Sequence, residues 1–382
     1  MDIKSSSFGP IDLVDYFFQQ GRLTDIGDDI TLRSDDPLSV LIARRAGFEK
    51  DTTLPDHWVK RSLPRWTITW ARAGAVNMNG WHDLFESCFG YRMPRELERW
   101  KYLQQDCLGI LVFNGEKPVA FYGGLSREIL YFGIARSAVQ ICDVMVHPHE
   151  RGVLTRNGPF FLATATFLEN KIGLGKKYFL GFGFPSNRHM QIAQKMQLYE
   201  PVGEIVQVAW KSAKQLCAPL RYSFQKVDDD CLHEVDRLWK NMSVTFKDRI
   251  IGVRNSERVK YRYLDHPTNC YTVLLVKSRW NGKAFGILVF REHDDTLELI
   301  DIIAPITAIY NLIVIARDWA ARVVRKNVYA WMTAPDAKKY SGSDGIITPL
   351  DIFVPTSIWT SNINPAPLKD KWWLMAGDSD FR

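Results

Sequence analysis

One short stretch of the sequence, residues 143–159, combines residue types that could hold a phosphate group. An apolar strand pattern ends at Pro148, a loop with Gly152 and the arginines Arg151 and Arg156 follows, and a helix pattern then begins. Backbone amides at a helix start, the positive end of the helix dipole and two guanidinium groups would together attract an anion. The alternative is an ordinary strand-to-helix turn with two solvated arginines, and this segment alone leaves both interpretations open.

The surrounding residues predict a mixed α/β architecture. Alternating apolar residues predict strands, the dipeptide Asn114-Gly115 between two of them predicts a tight hairpin, and helical apolar spacing predicts helices. In chain order the predicted elements are strand 67–70, helix 81–89, a helix from residue 94, strands 108–113, 118–123 and 138–146, helix 160–168, strand 177–182, helix 187–196 and strand 202–210. These elements form packed layers of sheet and helix.

The pattern begins again in the second half of the chain. Residues 259–263 echo residues 98–102, Asn281-Gly282 repeats the hairpin signal, and Asp301 falls in an apolar strand as Asp143 does. We therefore predict a degenerate tandem repeat of two α/β (α+β) domains, each a mixed, mostly antiparallel sheet flanked by helices. The predicted divisions are a leader at 1–65 that packs on the first domain, domains at 66–215 and 216–345, and a packed C-terminal tail at 346–382.

Composition restricts the class of protein. The chain has 382 residues, of which 46% are hydrophobic and 24% charged, values that are typical of globular domains and exclude a disordered chain, a collagen or a coiled coil. The net charge of +6 is not gathered in a basic block, so the charge pattern argues against nucleic acid as a partner.

The cysteines and the apolar segments indicate the compartment. The six cysteines are scattered without a Cys-x-x-Cys pair, which predicts reduced thiols in the cytoplasm, no disulfide frame and no metal site. The N-terminal residues lack a secretory pattern. The most apolar stretch, 299–316, contains Asp301, Pro305 and Asn311, so we expect no membrane association.

Three motifs lie at the end of the long strand and beyond it. They are Val146-His147-Pro148 at the strand end, Arg151-Gly152 in the following loop, and residues 180–187, Leu-Gly-Phe-Gly-Phe-Pro-Ser-Asn. In this order they resemble the GNAT acyltransferase superfamily. The resemblance covers residues 66–210 and extends more weakly, as a second GNAT-like half, to residue 340.

The resemblance implies a donor, acetyl-CoA or another acyl-CoA, at the end of the long strand. It implies that Val144 and Val146 offer backbone groups to the pantetheine arm, and that Asn187 heads the helix beside it. The residues that it places in the pyrophosphate loop are Arg151, Gly152, Val153, Leu154, Thr155 and Arg156. Leu154 and Arg156 stand where the family has small residues, so this loop needs different dihedrals or gives a phosphate less close approach.

Acyl transfer to an amine, the reaction that the resemblance implies, needs a group that takes a proton from the attacking nitrogen. The candidates are Asp143 and His147 near the strand end and His189 on the later helix. Each has a structural alternative, respectively a hydrogen-bond acceptor, a turn residue and a surface residue. The family's helix-borne tyrosine, which protonates the leaving thiolate, has Ala193 at its counted position, and Tyr199 is the nearest candidate.

We therefore expect an acyl-CoA-dependent N-acyltransferase, with acetyl as the acyl group. The expected acceptor is a small-molecule amine such as an amino sugar or a nucleotide-linked sugar, which rests on the resemblance alone. One alternative is a non-catalytic GNAT-like protein that binds a ligand or a partner, as the altered loop and the missing tyrosine would suit. Another is an aminoacyl transferase that takes its donor from tRNA, although the sequence shows no long helical insertion and no dense basic face.

Overall fold

The computed structural model describes both halves of the chain. The described residues are 2–4, 30–33, 40–41, 49–50, 57–60, 66–71, 80–102, 109–152, 156, 158–214, 222–359 and 363–381. The chain forms two compact units, one of residues 1–125 with 141–172 and the other of residues 126–140 with 173–382. Among the described residues, no helix is long and apolar enough to cross a membrane.

The first unit contains a small N-terminal sheet and the first strands of the predicted fold. The N-terminal strands are β1 (Asp2–Lys4), β2 (Ile30–Arg33), β3 (Glu49–Lys50) and β4 (His57–Lys60), in the order β1-β2-β4-β3. Much of the predicted leader at 1–65 lies outside the described residues. Strands β5 (Thr67–Ala71), β6 (Gly109–Asn114) and the first part of β7 (Lys117–Tyr131) pair antiparallel. Gly115 turns the chain between β6 and β7 with a φ of +61°, which confirms the predicted Asn114-Gly115 hairpin.

The described residues of this unit include three longer helices, and an aromatic cluster holds two of them. They are α1 (Trp81–Phe89), α2 (Arg95–Tyr102) and α3 (Pro159–Lys171). The ring of Trp81 is fully buried and lies 5.8 Å from Phe121 of β7 and 6.0 Å from Tyr102 of α2, measured between ring centroids. Buried aromatic rings of this size dominate core energetics. The cluster therefore fixes the C-terminal end of α2, where Lys101 is also buried.

The second unit contains further paired strands, which form parts of two sheets. Strands β7 and β8 (Ile134–Val146) each pass from one unit to the other. In the second unit, β9 (Leu180–Phe182) runs parallel to β8, β12 (Ile250–Gly252) antiparallel to β7, and β18 (Trp372–Trp373) parallel to β12. A seven-stranded sheet is formed by β10 (Tyr199–Lys211), β11 (Tyr222–Lys226), β13 (Thr272–Ser278), β14 (Ala284–Glu292), β15 (Thr296–Ile303), β16 (Asn327–Thr333) and β17 (Ile346–Ser357).

The order of this sheet is β11-β13-β14-β15-β16-β10-β17. Its neighbouring strands are antiparallel except for β15 and β16, which are parallel. The helices of the second unit are α4 (Asn187–Lys195), α5 (Leu232–Thr245), α6 (Ser256–Val259) with a π turn at Lys260–Leu264, α7 (Ile309–Arg322) and α8 (Ala334–Tyr340). Helix α7 buries Ile309, Leu312, Ile313 and Ala316, the spacing of a helix with one apolar face.

The predicted fold class is confirmed, because two mixed, mostly antiparallel sheets are flanked by helices. The order β5-α1-α2-β6-β7-β8-α3-β9-α4-β10 is repeated by β11-α5-α6-β13-β14-β15-α7-β16-α8-β17, with β12 inserted after α5. Strand β10 precedes the predicted boundary at residue 215 but pairs with β16 and β17, which follow it. Strand β17 belongs to this sheet although it lies in the predicted tail, and the domain limits themselves stay a prediction.

Candidate functional site

Asp143 lies on β8 and is held by two side chains of α2. Its carboxylate accepts hydrogen bonds from Lys101 Nζ, 2.7 Å away, and from the hydroxyl of Tyr102. Its backbone has a φ of +48°, a left-handed conformation that is uncommon for residues other than glycine. Such strain persists only where the surrounding structure fixes the residue, and it is concentrated at functional sites. The first unit therefore holds the Asp143 carboxylate in one orientation.

The contacts of Asp143 match the structural alternative expected for it, that of a hydrogen-bond acceptor. Two donors already occupy the carboxylate, which leaves it fewer lone pairs for a substrate proton. Its catalytic role stays a prediction. Lys101 and Tyr102 were not identified as site residues from the sequence, although the echo between residues 98–102 and 259–263 marked the segment that contains them.

His147 follows β8 and is fixed by its backbone. Its N–H donates to the carbonyl of Val119 at 2.8 Å, and its Nδ1 accepts the N–H of His149 at 3.4 Å. Burial, followed by the charges of His149 and Lys117, lowers the pKa of His147 below its ordinary value of 6.5. The imidazole is therefore neutral at pH 7, which is the state that a general base requires.

The loop after β8 presents its arginines to solvent. Arg151 and Gly152 are exposed, and Arg151 Nε donates to the carbonyl of Val146 at 2.9 Å, whereas no described residue accepts a hydrogen bond from its terminal nitrogens. Arg156 is also exposed, and its guanidinium lies 5.9 Å from the ring of Phe161. The predicted loop residues Val153, Leu154 and Thr155 lie outside the described residues.

The strand end that would contact the donor is partly engaged within the first unit. Val144 and Val146 are both partly buried. The carbonyl of Val146 accepts hydrogen bonds from Arg151 Nε and from the thiol of Cys88, the latter at 3.4 Å. A donor that uses this carbonyl would have to share it with these two groups or displace one of them.

The remaining predicted site residues lie in the second unit. Asn187 is exposed at the first position of α4, and His189 Nδ1 lies 3.0 Å from the hydroxyl of Ser186, the residue before the helix. Tyr199 begins β10 and is buried, and burial raises its pKa well above 10. A phenol that holds its proton so tightly is a weak general acid. Its proposed part in catalysis is untested.

The tyrosine–aspartate pair of the first unit has a counterpart in the second. Tyr263, in the π turn after α6, donates its hydroxyl proton to Asp301 of β15 at 2.8 Å. In the sequence repeat these residues correspond to Tyr102 and Asp143. The two halves therefore share a side-chain contact as well as an order of elements.

The second copy differs because the C-terminal segment fills the space beside its strand. Strands β15 and β16 pair only from Thr296 to Leu299 within the described chain. Beyond that point the tail joins β16, where Met375 pairs with Met332 and the carbonyl of Leu374 accepts the N–H of Thr333.

A buried ion network fastens this segment to β15. Arg254 donates to Asp301 at 3.0 Å and to Asp378 of the tail at 2.5 Å. Burial raises the pKa of Asp301, and Arg254 opposes that effect. Arg262 is buried and donates to the carbonyls of Gly377 and Ser379. The position in the second half that corresponds to the strand end after Asp143 is therefore occupied by the protein's own chain.

Residues 71–156 match the family model described as an acetyltransferase (GNAT) domain, a span that includes Asp143, His147 and the arginine loop. No curated protein matches the chain.

Three solved structures illustrate the similarity in fold. A GCN5-related N-acetyltransferase from Anabaena variabilis is 12% identical, with a TM-score of 0.58 over 76% of this chain and 72% of that one. A conserved protein of unknown function from Enterococcus faecalis, a probable N-acyltransferase, is 13% identical, with a TM-score of 0.59 over 80% and 74%. N-myristoyltransferase from Saccharomyces cerevisiae, with bound myristoyl-CoA and inhibitors, is 13% identical, with a TM-score of 0.50 over 82% of each chain.

At such identities the solved structures show a shared fold, and the family model adds a sequence match over residues 71–156. The repeated element order and the two mixed sheets agree with that fold. Residues 71–156 therefore match a GNAT acetyltransferase domain, and the chain has the fold of the GNAT acyltransferases.

Proposed function

We propose that the protein transfers an acyl group, acetyl in the first instance, from coenzyme A to a small-molecule amine. The observation that carries this proposal is the family match over the segment that contains Asp143 and the arginine loop. The description of the Enterococcus protein as a probable N-acyltransferase and the myristoyl-CoA bound to the yeast enzyme support an acyl-CoA donor. The acceptor that we propose is an amino sugar or a nucleotide-linked sugar.

The chemistry assigns separate tasks to the residues near the end of β8. The amine nitrogen, in its neutral form, attacks the thioester carbonyl, a C–N bond forms, the C–S bond breaks, and coenzyme A leaves as a thiolate that takes up the proton removed from the nitrogen by His147. His147 is neutral at pH 7 and takes the proton that the nitrogen loses. The Asp143 carboxylate, which Lys101 and Tyr102 hold, fixes the strand four residues before His147 in this proposal.

The donor's phosphates would meet the loop between β8 and α3. Within the described part of the chain, the terminal nitrogens of Arg151 donate to no acceptor, and Arg156 adds a second exposed guanidinium. Planar guanidinium groups bind phosphate oxygens through paired hydrogen bonds. Helix α3 begins directly after this loop and has 13 residues, so its first amides and its dipole would favour the same anion.

The second half, in this proposal, binds no donor. Residues 374–378 lie where the second copy's strands separate, and Arg254 joins Asp378 to Asp301 in a buried network. A donor could enter only after these contacts had broken. The second half therefore serves as a support with a fixed structure.

A second candidate function is binding of a ligand or a partner without turnover. The contact that favours it is the Val146 carbonyl, which already accepts hydrogen bonds from Cys88 and Arg151. If these contacts persist in solution, the pantetheine arm would find no free acceptor there.

An assay of thiol release separates the two functions. The purified chain is mixed with acetyl-CoA and a panel of amines that includes glucosamine, and free coenzyme A is followed with a thiol reagent. We expect amine-dependent release that Arg151→Ala reduces at least tenfold, whereas Arg99→Ala, which removes an exposed arginine of α2, leaves it unchanged. Absence of amine-dependent release with every donor and acceptor, together with retained coenzyme A binding, would favour the non-catalytic function.

A further inference from the structure

Arg258 differs from the other partly buried arginines of the second unit because its guanidinium has no acceptor. Arg249, for comparison, pairs with Asp336 and also donates to the carbonyl of Trp372. Among the described residues, no oxygen accepts a hydrogen bond from the Arg258 guanidinium, whose contact is the ring of Tyr261, 5.6 Å from Cζ. A guanidinium carries five N–H donors, so this side chain has unused hydrogen-bonding capacity.

Arg258 stands beside a second arginine on the same helical segment. Arg262 lies four residues further along, and side chains at this spacing share one face of a helix. The segment changes there from α6 into a π turn, in which the N–H of Asp265 bonds to the carbonyl of Lys260 at 2.9 Å. Turns of this type are rare and are frequent at functional sites.

A third arginine approaches from β7. Arg127 Nε donates to Gln140 at 2.8 Å, and Gln140 in turn donates to the carboxylate of Asp380 at 3.0 Å. Gln140 is fully buried. The amide therefore fixes Arg127 and also shows that this part of the second unit accommodates a carboxylate.

The charges around Arg258 are unfavourable in the absence of an anion. Burial, followed by repulsion from Arg127 and Arg262, lowers the pKa of Arg258 to about 9. The group is still charged at pH 7, so it brings an unpaired positive charge into partly buried surroundings. Burial of a charge without a partner opposes folding, and two neighbouring like charges add to that effect. A bound anion would pair with the buried charge and would also reduce the repulsion between the arginines.

We propose that Arg258, with Arg127 and Arg262, forms a binding site for an oxyanion, the carboxylate or phosphate group of a small ligand. The Arg258 guanidinium supplies the paired donors that such a group accepts, while Tyr261 supports its face. The site lies in the second unit and does not depend on the acyl transfer proposed above.

Thermal unfolding of the full chain tests the site with inorganic phosphate and, separately, with acetate, each against chloride at equal ionic strength. We expect the wild-type midpoint to rise by about 2 °C at ten times the dissociation constant of the better anion. Arg258→Gln should lose this rise. Phosphate also stabilises proteins by exclusion from their surfaces, so the matched variant Arg279→Gln, which removes an exposed arginine of the β13–β14 turn, reports the general effect and should behave as wild type.

The same variants test the unpaired charge directly. In chloride, Arg258→Gln should unfold at the same temperature as wild type or higher, because the substitution removes a repelled charge. Arg258→Met, which keeps the apolar stem of the side chain, should do the same. An equal anion-induced rise in wild type and Arg258→Gln would overturn the proposal. So would a lower midpoint for both variants in chloride, since the charge would then be a stabilising one.

Discussion

Tyr263 donates a hydrogen bond to Asp301 at 2.8 Å in the second half of the chain, and the tyrosine and aspartate at the corresponding positions of the first half, Tyr102 and Asp143, are bonded in the same way. The strands and helices that carry the two pairs follow the same order. The surroundings differ, since the first aspartate meets Lys101 and the second is joined through Arg254 to the C-terminal segment. The two halves therefore share the tyrosine–aspartate hydrogen bond, but the aspartate has a different cationic partner in each half.

Replacement of each tyrosine by phenylalanine distinguishes an effect on stability from an effect on acyl transfer. Tyr102→Phe and Tyr263→Phe should each lower the free energy of unfolding by about 1 to 3 kcal/mol, because a buried carboxylate loses a donor. Urea unfolding measures this change. Only Tyr102→Phe should also reduce acyl transfer, since its aspartate lies in the GNAT domain. Equal loss of activity in both variants would contradict the assignment of the site to the first half.

Lys101 is expected to matter far more for stability than a surface lysine. Its ammonium and the Asp143 carboxylate are respectively 4% and 10% exposed. Lys101→Met would leave a buried charge unpaired and should lower the free energy of unfolding by about 3 to 5 kcal/mol. Lys326→Met, which removes the exposed pair with Asp295, should leave the free energy of unfolding nearly unchanged. Addition of Asp143→Asn to Lys101→Met should restore part of the loss.

His266 should make stability depend on pH in the acid range. Burial, followed by the charges of Arg262 and Arg291, lowers its pKa from 6.5 to about 4 in the folded chain. The unfolded chain therefore binds an extra proton between these values, so stability is complete above pH 6.5 and falls as the pH is lowered towards 4.

The variant His266→Asn tests this dependence, because its amide oxygen can still accept the backbone N–H groups of Thr268 and Asn269 that His266 now accepts. Urea unfolding between pH 4 and 6.5 measures the free energy of unfolding, which should change less steeply with pH for the variant than for wild type. If the pH dependence of the free energy of unfolding is the same in the variant and in wild type, other groups cause the acid sensitivity.

If His147 acts as the base, its protonation should determine how the rate of acyl transfer falls at acidic pH. Its lowered pKa keeps the imidazole neutral until the pH falls below 6.5, so the rate should decline only below that value. His147→Gln should lower kcat by about 100-fold or more and remove this inflection from the pH profile. A variant that keeps the wild-type profile at reduced rate would show that His147 has a structural role.

Local features of the fold were predictable from the sequence. The Asn114-Gly115 hairpin appeared where the turn residues indicated it, because the turn conformation depends on neighbours in the chain. The repeat was visible because the segment with Tyr102 and the segment with Tyr263 keep similar residue types.

Features that depend on contacts between distant segments were not predictable. The pairing of β10 with β16 joins residues 205–211 to 327–333. It was not predictable because alternating apolar residues indicate a strand but do not indicate which other strand it pairs with. The Lys101–Asp143 ion pair joins two elements in the same way. The filled strand end in the second half depends on where the tail returns, and the predicted packed tail at 346–382 did not indicate which strand it would contact.

Titration calorimetry with acetyl-CoA and with free coenzyme A tests the central claim, a donor site at the loop after β8, most directly. We expect saturable binding with one site per chain, abolished by Arg151→Ala and retained by Arg99→Ala. The second half should add no site, because the C-terminal segment occupies the corresponding position. Binding that Arg151→Ala leaves unchanged, or no binding of either compound to the wild-type chain, would contradict the assignment of a donor site to this loop.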